Sequence, residues 1–189
     1  MLPTIKLSEA VGALVTGHIV VSGIGIVNAA VTAHQPPPTS LPTEPNTNAA
    51  AVQRVVAKMY SGGGLDAPLC SPSVSFTDPA ACCTGRAEVT EAFRALRVCD
   101  PEHLTSPTVL ATHKEETHLA LHQRYFAGSY LLPRGLVVRS TLVVCTNGDG
   151  LITSLEEQWN GGPLLQWSAF RFSRRVNGIL SSLLTPLAV

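Results

Sequence analysis

The chain has 189 residues, of which 45% are hydrophobic and 14% are charged, with 13 basic and 13 acidic side chains in balance. This length is sufficient for one domain with a substantial core and some appended segments. The balanced charge provides no global field to attract nucleic acid or an acidic ligand, so the composition excludes a basic nucleic-acid-binding protein.

The stretch from Val11 to Val31 carries no formal charge. As a helix it is long enough to cross a bilayer, at about 1.5 Å per residue over roughly 30 Å. Three interpretations of residues 1–33 stay open: a membrane anchor, a cleaved secretory signal with small residues at Val31-Thr32-Ala33, or a buried helix or strand. The first two predict a membrane-anchored or exported protein, with an organelle membrane as the alternative.

Residues 34–47 are rich in proline, threonine and serine, which predicts an extended and semi-rigid linker. The domain is therefore expected at residues 48–165. Its first helix begins near Asn48 and has apolar residues at helical spacing, namely Val52, Val55, Val56, Met59 and Tyr60. The three glycines at 62–64 end this helix, and a short helical turn is expected near residues 65–69.

A short strand is predicted at residues 73–77, followed by a loop over residues 78–85 and a second amphipathic helix. Four strand-like runs come next, and they lie at about 106–114, 117–128, 135–146 and 150–159. The sequence Asn147-Gly148-Asp149-Gly150 predicts a tight hairpin turn between the last two. Helices that precede an antiparallel meander indicate an α+β layout.

Residues 166–189 return to helical spacing and predict an amphipathic helix. Its apolar face carries Phe172, Val176, Ile179, Leu180, Leu183 and Leu184. Its other face is basic and polar, with Arg171, Arg174, Arg175, Ser181 and Ser182. Such a helix lies on a membrane, binds in the groove of a partner, or packs against its own domain, and the last interpretation is slightly preferred.

Three short motifs occur in a fixed order along the domain: Phe76-Thr77-Asp78-Pro79, Gly85-Arg86, and Ile152 followed by Glu157-Gln158-Trp159. With this order of elements the domain resembles the nuclear-transport-factor-2-like superfamily, and more narrowly its SnoaL-like branch, which includes the ketosteroid isomerases. The resemblance implies a cone-shaped half-barrel, in which N-terminal helices and a curved antiparallel sheet enclose an apolar cavity. It also implies a homodimer formed through the sheet face. Members include isomerases, cyclases, transport and scaffold proteins, so the fold alone does not select a function.

In the isomerases the aspartate of the Asp-Pro motif is the general base, so the resemblance assigns that role to Asp78. His122 or Tyr125, depending on strand phase, is expected to assist as a proton carrier. The alternative for Asp78 is a structural loop carboxylate that accepts backbone N–H bonds before Gly85. The ligand-binding residues expected around the cavity are Tyr60, Phe76, Phe93 and Trp159.

One part of the isomerase pattern is missing. The family carries an oxyanion-stabilising tyrosine inside the first helix, whereas Val55 and Val56 occupy the corresponding turn and Tyr60 falls near the helix end. A second, protonated acid has no assigned position. A base without its oxyanion donors loses much of its effect, so an enzymatic function is disfavoured.

Neither a metal site nor a cofactor is expected. His118 and His122 share a strand face, but at ~3.3 Å per residue they lie about 13 Å apart, which is too far for one ion. The cysteines also lack paired zinc-site spacing, and they stand at Cys70, Cys82, Cys83, Cys99 and Cys145. In an oxidising compartment, Cys70 with Cys82 or Cys83 is the pair to expect.

An intact fold signature beside an incomplete catalytic set predicts a non-enzymatic binding or assembly module with an apolar cavity, as a subunit of a membrane-associated complex. Its expected partners are an apolar small molecule or a protein, together with a membrane, but no nucleic acid. The alternative is a SnoaL-like isomerase or cyclase that uses Asp78 as general base.

Overall fold

The computed structural model describes Gly23 and residues 48–126, 135–159 and 168–188. Within these residues, helices pack against an open, curved sheet of six strands. The helices are α1 (Ala49–Lys58), α2 (Gly85–Ala95) and α3 (Ser168–Ala188). The strands are β1 (Cys70–Thr77), β2 (Cys82–Thr84), β3 (Glu102–His113), β4 (Glu116–Tyr125), β5 (Leu136–Thr146) and β6 (Ile152–Trp159). The predicted α+β class and the cone-like arrangement of helices on a curved sheet are confirmed.

The strand order is β2-β1-β6-β5-β4-β3, so the four later strands form the predicted antiparallel meander. The sheet as a whole is mixed, because β1 pairs with β6 in parallel. That pairing joins strands far apart in sequence, so no hairpin turn fixes their relative direction. The predicted loop at residues 78–85 contains a further strand, β2, which pairs with β1. Register shifts between β3 and β4 mark the bulges that curve the sheet.

The first helix leads into a turn that places Tyr60 in the core. Its buried side chains are Val52, Val55 and Val56, as the helical spacing predicts. The helix then continues into a wider π-type turn, Met59–Gly63, in which Tyr60 is buried. Gly62 ends the turn with a φ of 75°, a conformation that glycine adopts without strain, and Arg97 Nε donates to its carbonyl at 2.8 Å. The end of α1 is therefore part of the core.

The core lies between the helices and the inner face of the sheet. Three aromatic rings pack edge-on or tilted against one another within it, with Phe93 centred 5.0 Å from Tyr60 and 4.8 Å from Phe76. Aliphatic side chains from α1, α2 and four of the strands surround these rings. Burying one large apolar side chain contributes roughly 1.5–3 kcal/mol, so this cluster is a main source of stability.

The C-terminal helix α3 packs against α2 and β2, which agrees with the preferred sequence interpretation. It does so through a mixed, largely polar face, and its buried residues are Arg174, Asn177, Leu180, Ser181 and Thr185. Half of the predicted apolar face is turned outward, with Phe172 72%, Ile179 39% and Leu183 59% exposed. Helical spacing identified residues that share a face, but the packed face was decided by hydrogen bonds to the neighbouring loop.

Several sequence predictions concern residues at the margin of the described structure. Of the predicted anchor or signal segment, only Gly23 is described, and it is helical. The linker at residues 34–47 lies outside the described residues, and so does the rest of that segment. None of the helices described here combines the length and the apolarity needed to cross a bilayer. The five cysteines are free thiols.

Candidate functional site

Two carboxyl groups meet at the ends of neighbouring strands. Thr77 of β1 lies opposite Glu156 of β6 in the parallel register, so the next residues along the two strands are Asp78 and Glu157. Paired strands lie about 4.8 Å apart. Asp78 and Glu157 each come two residues after a buried, inward-facing residue, Phe76 and Leu155, so both side chains also face inward. The fold therefore brings two acids together on the concave side of the sheet.

Asp78 is held by a tight turn. Its Oδ1 atom accepts the backbone N–H of Ala80 at 2.8 Å and that of Ala81 at 2.5 Å. Its own backbone N–H donates to the Ala81 carbonyl at 2.9 Å. This is the loop-carboxylate role that the sequence offered as an alternative, and it fixes the direction of the side chain. Because the turn uses one carboxyl oxygen, an architectural role and a chemical one are compatible.

Glu157 belongs to a sealed hydrogen-bond network. It is 3% exposed, and its two oxygens accept the hydroxyl groups of Tyr60 at 2.8 Å and Ser140 at 2.5 Å. Tyr60 is itself only 1% exposed. A buried carboxyl group with two hydroxyl donors is well satisfied, so this part of the interior is closed.

The environment strongly perturbs both acids. Burial, and then the neighbouring Glu157, raise the pKa of Asp78 to about 7, against the lowering effect of its turn and of Arg174. Burial likewise raises the pKa of Glu157, although the donors Ser140 and Tyr60 oppose the change. Two close carboxyl groups in a poorly solvated site do not both ionise readily. Near neutral pH the pair therefore holds at least part of one proton.

Tyr125 lies on the same inner face and is half-buried. Its hydroxyl donates to Gln123 Oε1 at 2.5 Å, and Gln123 Nε2 in turn lies 3.4 Å from His103 Nδ1. Burial raises the pKa of Tyr125 well above its ordinary value, followed by the effect of Glu157 and Asp78. The tyrosine is therefore a neutral hydroxyl group on the inner face, bound to Gln123.

Trp159 adds a donor at the end of β6. Its side chain projects from the same face as Glu157, two residues earlier, and its Nε1 atom is buried without a hydrogen-bond acceptor among the described residues. The indole N–H lies beside the Glu157 carboxyl group and lowers its pKa, but it does not reach hydrogen-bond geometry with that group. A buried N–H group without a hydrogen-bond partner is uncommon in folded proteins.

Accessibility divides these residues into two sets. Asp78, Tyr125 and Trp159 face inward yet remain half-buried, whereas Tyr60 and Glu157 are sealed. From the accessible surface that these three side chains keep, we infer an opening where β1, β4 and β6 end. We call the space between Asp78, Tyr125 and Trp159 the recess.

The structure separates the predicted catalytic residues. Asp78 and Tyr125 both lie on the inner side of the sheet and interact electrostatically, but His122 lies on the outer face of β4, opposite Arg139 of β5. Strand alternation prevents residues 122 and 125 from sharing a face, so Tyr125 is the one directed to the interior.

The predicted ligand-binding residues also separate. Tyr60, Phe76 and Phe93 are packed in the core, with Phe76, the most accessible of the three, at 6% exposure. Trp159 is the member of the set that borders the recess. A ligand-binding role for the three core aromatics stays a prediction.

Sequence reasoning missed Glu157 and Arg174. Alternation along β6 places Leu155, Glu157 and Trp159 on one face, and this pattern was sufficient to identify Glu157. Arg174 was assigned to the basic and polar face of the last helix, whereas it is 5% exposed and its charge acts on Asp78. No pattern within the helix indicates that burial, because it depends on a loop nearly a hundred residues earlier.

Metal ligation has no support among the described residues, which contain no group of three or more histidine, cysteine, aspartate or glutamate side chains placed to hold an ion. His118, which the sequence analysis considered as a ligand, pairs through Nε2 with Glu116 on the outer face of β4.

Comparison with known proteins gives likenesses of fold. No protein-family model and no curated protein sequence matches the chain. A crystal structure of a Pseudomonas putida protein assigned as a polyketide cyclase is similar at 17% identity and a TM-score of 0.43, covering 60% of this chain and 91% of that one. A de novo designed protein with a curved β-sheet is similar at 16% identity and a TM-score of 0.43, covering 71% and 97%.

A steroid delta-isomerase from Pseudomonas aeruginosa is similar at 18% identity and a TM-score of 0.47, covering 79% of this chain and all of that one. At such identities the likeness concerns the fold and no residue role. The polyketide cyclase and the steroid isomerase have the SnoaL-like, nuclear-transport-factor-2-like fold, which is the fold that the sequence motifs of this chain resemble.

Proposed function

We propose that this protein binds a small, largely apolar molecule in the recess, through a hydrogen-bond acceptor such as a carbonyl oxygen. One observation carries the proposal: the Trp159 indole N–H is buried without an acceptor among the described residues. Leaving a buried donor unpaired costs about 1–3 kcal/mol, and a ligand acceptor at this position recovers that free energy. Tyr125 and Asp78 are the neighbouring polar groups within reach of the same ligand.

The state of the other donors favours binding over turnover. Tyr60 already donates to Glu157, and Tyr125 already donates to Gln123. An oxyanion hole needs donors aimed at the position where charge develops, and here both hydroxyl groups are engaged within the protein. Both hydroxyl donors are therefore used within the protein, and the Trp159 N–H is the donor that we assign to the ligand.

The test measures binding of prodan, an apolar fluorescent aryl ketone, to the full-length protein. We expect Trp159→Phe, which keeps an aromatic ring and removes the N–H group, to weaken binding about tenfold, which corresponds to ~1.4 kcal/mol. The matched control is Gln158→Ala, because Gln158 lies on the opposite face of the same strand. Equal affinity of Trp159→Phe and the wild type would contradict the proposal.

A second candidate is a SnoaL-like isomerase or cyclase with Asp78 as general base. The observation that favours it is the pKa of about 7 for Asp78, which lies where a general base works best at neutral pH. The test is exchange of ketone α-hydrogens in D₂O, followed by NMR. Exchange that Asp78→Asn abolishes while prodan binding persists would favour the enzyme, and absence of exchange in the wild type would reject it.

We further propose, from the sequence, that residues 11–31 attach the domain to a membrane and that the sheet face forms a homodimer. The first proposal predicts that cutting the linker releases the domain from membranes washed with salt or carbonate. The second predicts a dimer in analytical ultracentrifugation that Arg139→Glu, on the exposed outer face of β5, disrupts. Release of the uncut protein by the washes would contradict membrane attachment, and a monomer at high protein concentration would contradict the homodimer.

A further inference from the structure

The C-terminal helix docks directly on the loop that holds Asp78. Asn177 is 2% exposed, and its Nδ2 atom donates to the Ala80 carbonyl at 3.0 Å. Ala80 is the residue whose N–H group binds Asp78 Oδ1. One residue after Asn177, Gly178 lies so close to the Cys82 carbonyl that any Cβ atom would clash with it. The helix and the Asp78 turn therefore form one packed unit.

Two adjacent arginines of this helix have different surroundings. Arg175 pairs with Glu88 of α2 through both terminal nitrogens, with a distance of 2.8 Å from Nη2 to Oε1. Arg174 is 5% exposed and lies one helical turn before Asn177, on the face that meets the Asp78 turn. A buried guanidinium group requires compensation by nearby acceptors or negative charge, and Asp78 is an acid on this side of the interior.

The groups that face Asp78 come from five elements. They are Tyr60 after α1, Cys83 on β2, Tyr125 on β4, Glu157 on β6 and Arg174 on α3. Glu157 disfavours a negative Asp78, whereas Tyr60, Cys83 and Tyr125 are neutral because their own pKa values are raised. Arg174 is the cation among them, and it lowers the pKa of Asp78. The charge of Asp78 therefore depends in part on a cation carried by the C-terminal helix.

We propose that Arg174 is a positioning residue for the recess: held by the docked helix α3, its guanidinium group favours the ionised form of the Asp78 carboxyl group. Docking of α3 and the charge state of the recess are then coupled, so that a partner that lifts α3 shifts Asp78 further toward its protonated form, which can donate a hydrogen bond. The effect on ligands rests on the proposed function, whereas the effect on Asp78 itself does not.

The experiment is an NMR titration of the Asp78 carboxyl carbon in the ¹³C-labelled full-length protein, assigned with Asp78→Asn. We expect Arg174→Gln to raise the midpoint by about one unit, because loss of a nearby opposite charge favours the neutral acid. Arg174→Lys, which keeps the charge, is expected to titrate close to the wild type. The matched control, Arg175→Gln, breaks the Glu88 pair and is expected to leave the Asp78 midpoint unchanged.

Two results would overturn the inference: an unchanged midpoint in Arg174→Gln, or equal shifts in Arg174→Gln and Arg174→Lys, which would indicate altered packing. If Arg174→Gln does not fold, Asn177→Ala loosens the helix with Arg174 intact and is expected to raise the midpoint to a smaller extent. An unchanged midpoint in that variant would overturn the inference equally. Prodan binding by the wild type is measured separately, so a failure of ligand binding is distinguished from a failure of the charge coupling.

Discussion

The interior contains two polar regions that differ in one respect. In the sealed region, Tyr60 and Ser140 direct their hydroxyl groups to Glu157, and every partner is supplied by the protein. In the recess, Asp78, Tyr125 and Trp159 retain accessible surface, and Trp159 has a donor without an acceptor among the described residues. The same sheet face carries both regions. Under the proposed function, the sealed region serves stability and the recess receives the ligand.

The largest expected effect is on the aromatic core beside the sealed region. Phe93→Ala removes the ring that contacts both Tyr60 and Phe76 and leaves a cavity, so we expect the free energy of unfolding to fall by about 3–5 kcal/mol. Urea denaturation measures this change. Phe172→Ala is the control, because Phe172 is 72% exposed and its loss is expected to change stability by less than about 0.5 kcal/mol. Similar losses in both variants would remove the distinction between core and surface.

The second effect separates the two tyrosines. Tyr60→Phe deprives the buried Glu157 of a donor and is expected to lower the free energy of unfolding by about 1–3 kcal/mol. Tyr125→Phe removes a hydroxyl group that is half-buried, and water can replace its bond to Gln123, so a smaller loss is expected. Chemical denaturation at pH 7 compares them. A greater loss in Tyr125→Phe would show that the recess, rather than the Glu157 network, serves stability.

The third effect concerns pH. The pKa of Asp78 rises from its ordinary 3.8 to about 7 on folding, so between these values the folded state retains a proton that the unfolded state has released. The stabilisation from this group is therefore complete below about pH 4 and is lost as the pH rises through about 7. Denaturation between pH 4 and 8 measures the slope.

Asp78→Asn is the matched variant, because the amide oxygen still accepts the two N–H groups of the turn while the titration is removed. As the pH rises toward 7, we expect the free energy of unfolding to fall less steeply in Asp78→Asn than in the wild type. Glu88, whose pKa is lowered by Arg175, contributes a slope of the opposite sign, so the comparison is made between variant and wild type. An unfolded Asp78→Asn protein would mean that the charge itself is architectural.

The smallest effect on stability is expected at Trp159. Trp159→Phe removes the cost of a buried donor without an acceptor among the described residues but also loses packing with the smaller ring, and because the two changes oppose each other we expect a net change in the free energy of unfolding below about 1 kcal/mol. Prodan binding is nevertheless expected to weaken about tenfold. This contrast between stability and binding is the sharpest test of the division between the two regions. A large loss of stability would place Trp159 with the sealed set.

Local patterns predicted much of the fold. The helical spacing of α1, the turn at Asn147 and the four strands of the meander each depend on neighbouring residues, and each is confirmed. The turn is stabilised by Asn147 Oδ1, which accepts the Leu151 N–H at 2.9 Å. These features required no knowledge of distant contacts.

What the sequence did not predict depends on long-range contacts. The parallel pairing of β1 with β6 joins residues about eighty apart, and it is this pairing that brings Asp78 beside Glu157. The burial of Arg174 depends likewise on the Asp78 loop. Periodicity describes a helix or strand by itself, whereas a site between elements is formed by contacts that periodicity does not contain.

The close approach at Gly178 fixes the rotational setting of α3 about its own axis. A hydrogen atom is the whole side chain that fits against the Cys82 carbonyl. In an isolated peptide, Gly178→Ala is expected to favour the helix by about 1 kcal/mol. In the intact protein the same methyl group forces the helix to roll or to lift. One methyl group is therefore expected to increase the helix propensity of α3 and to weaken its packing against the domain. Circular dichroism, which measures helix content, would not by itself detect that loss of packing.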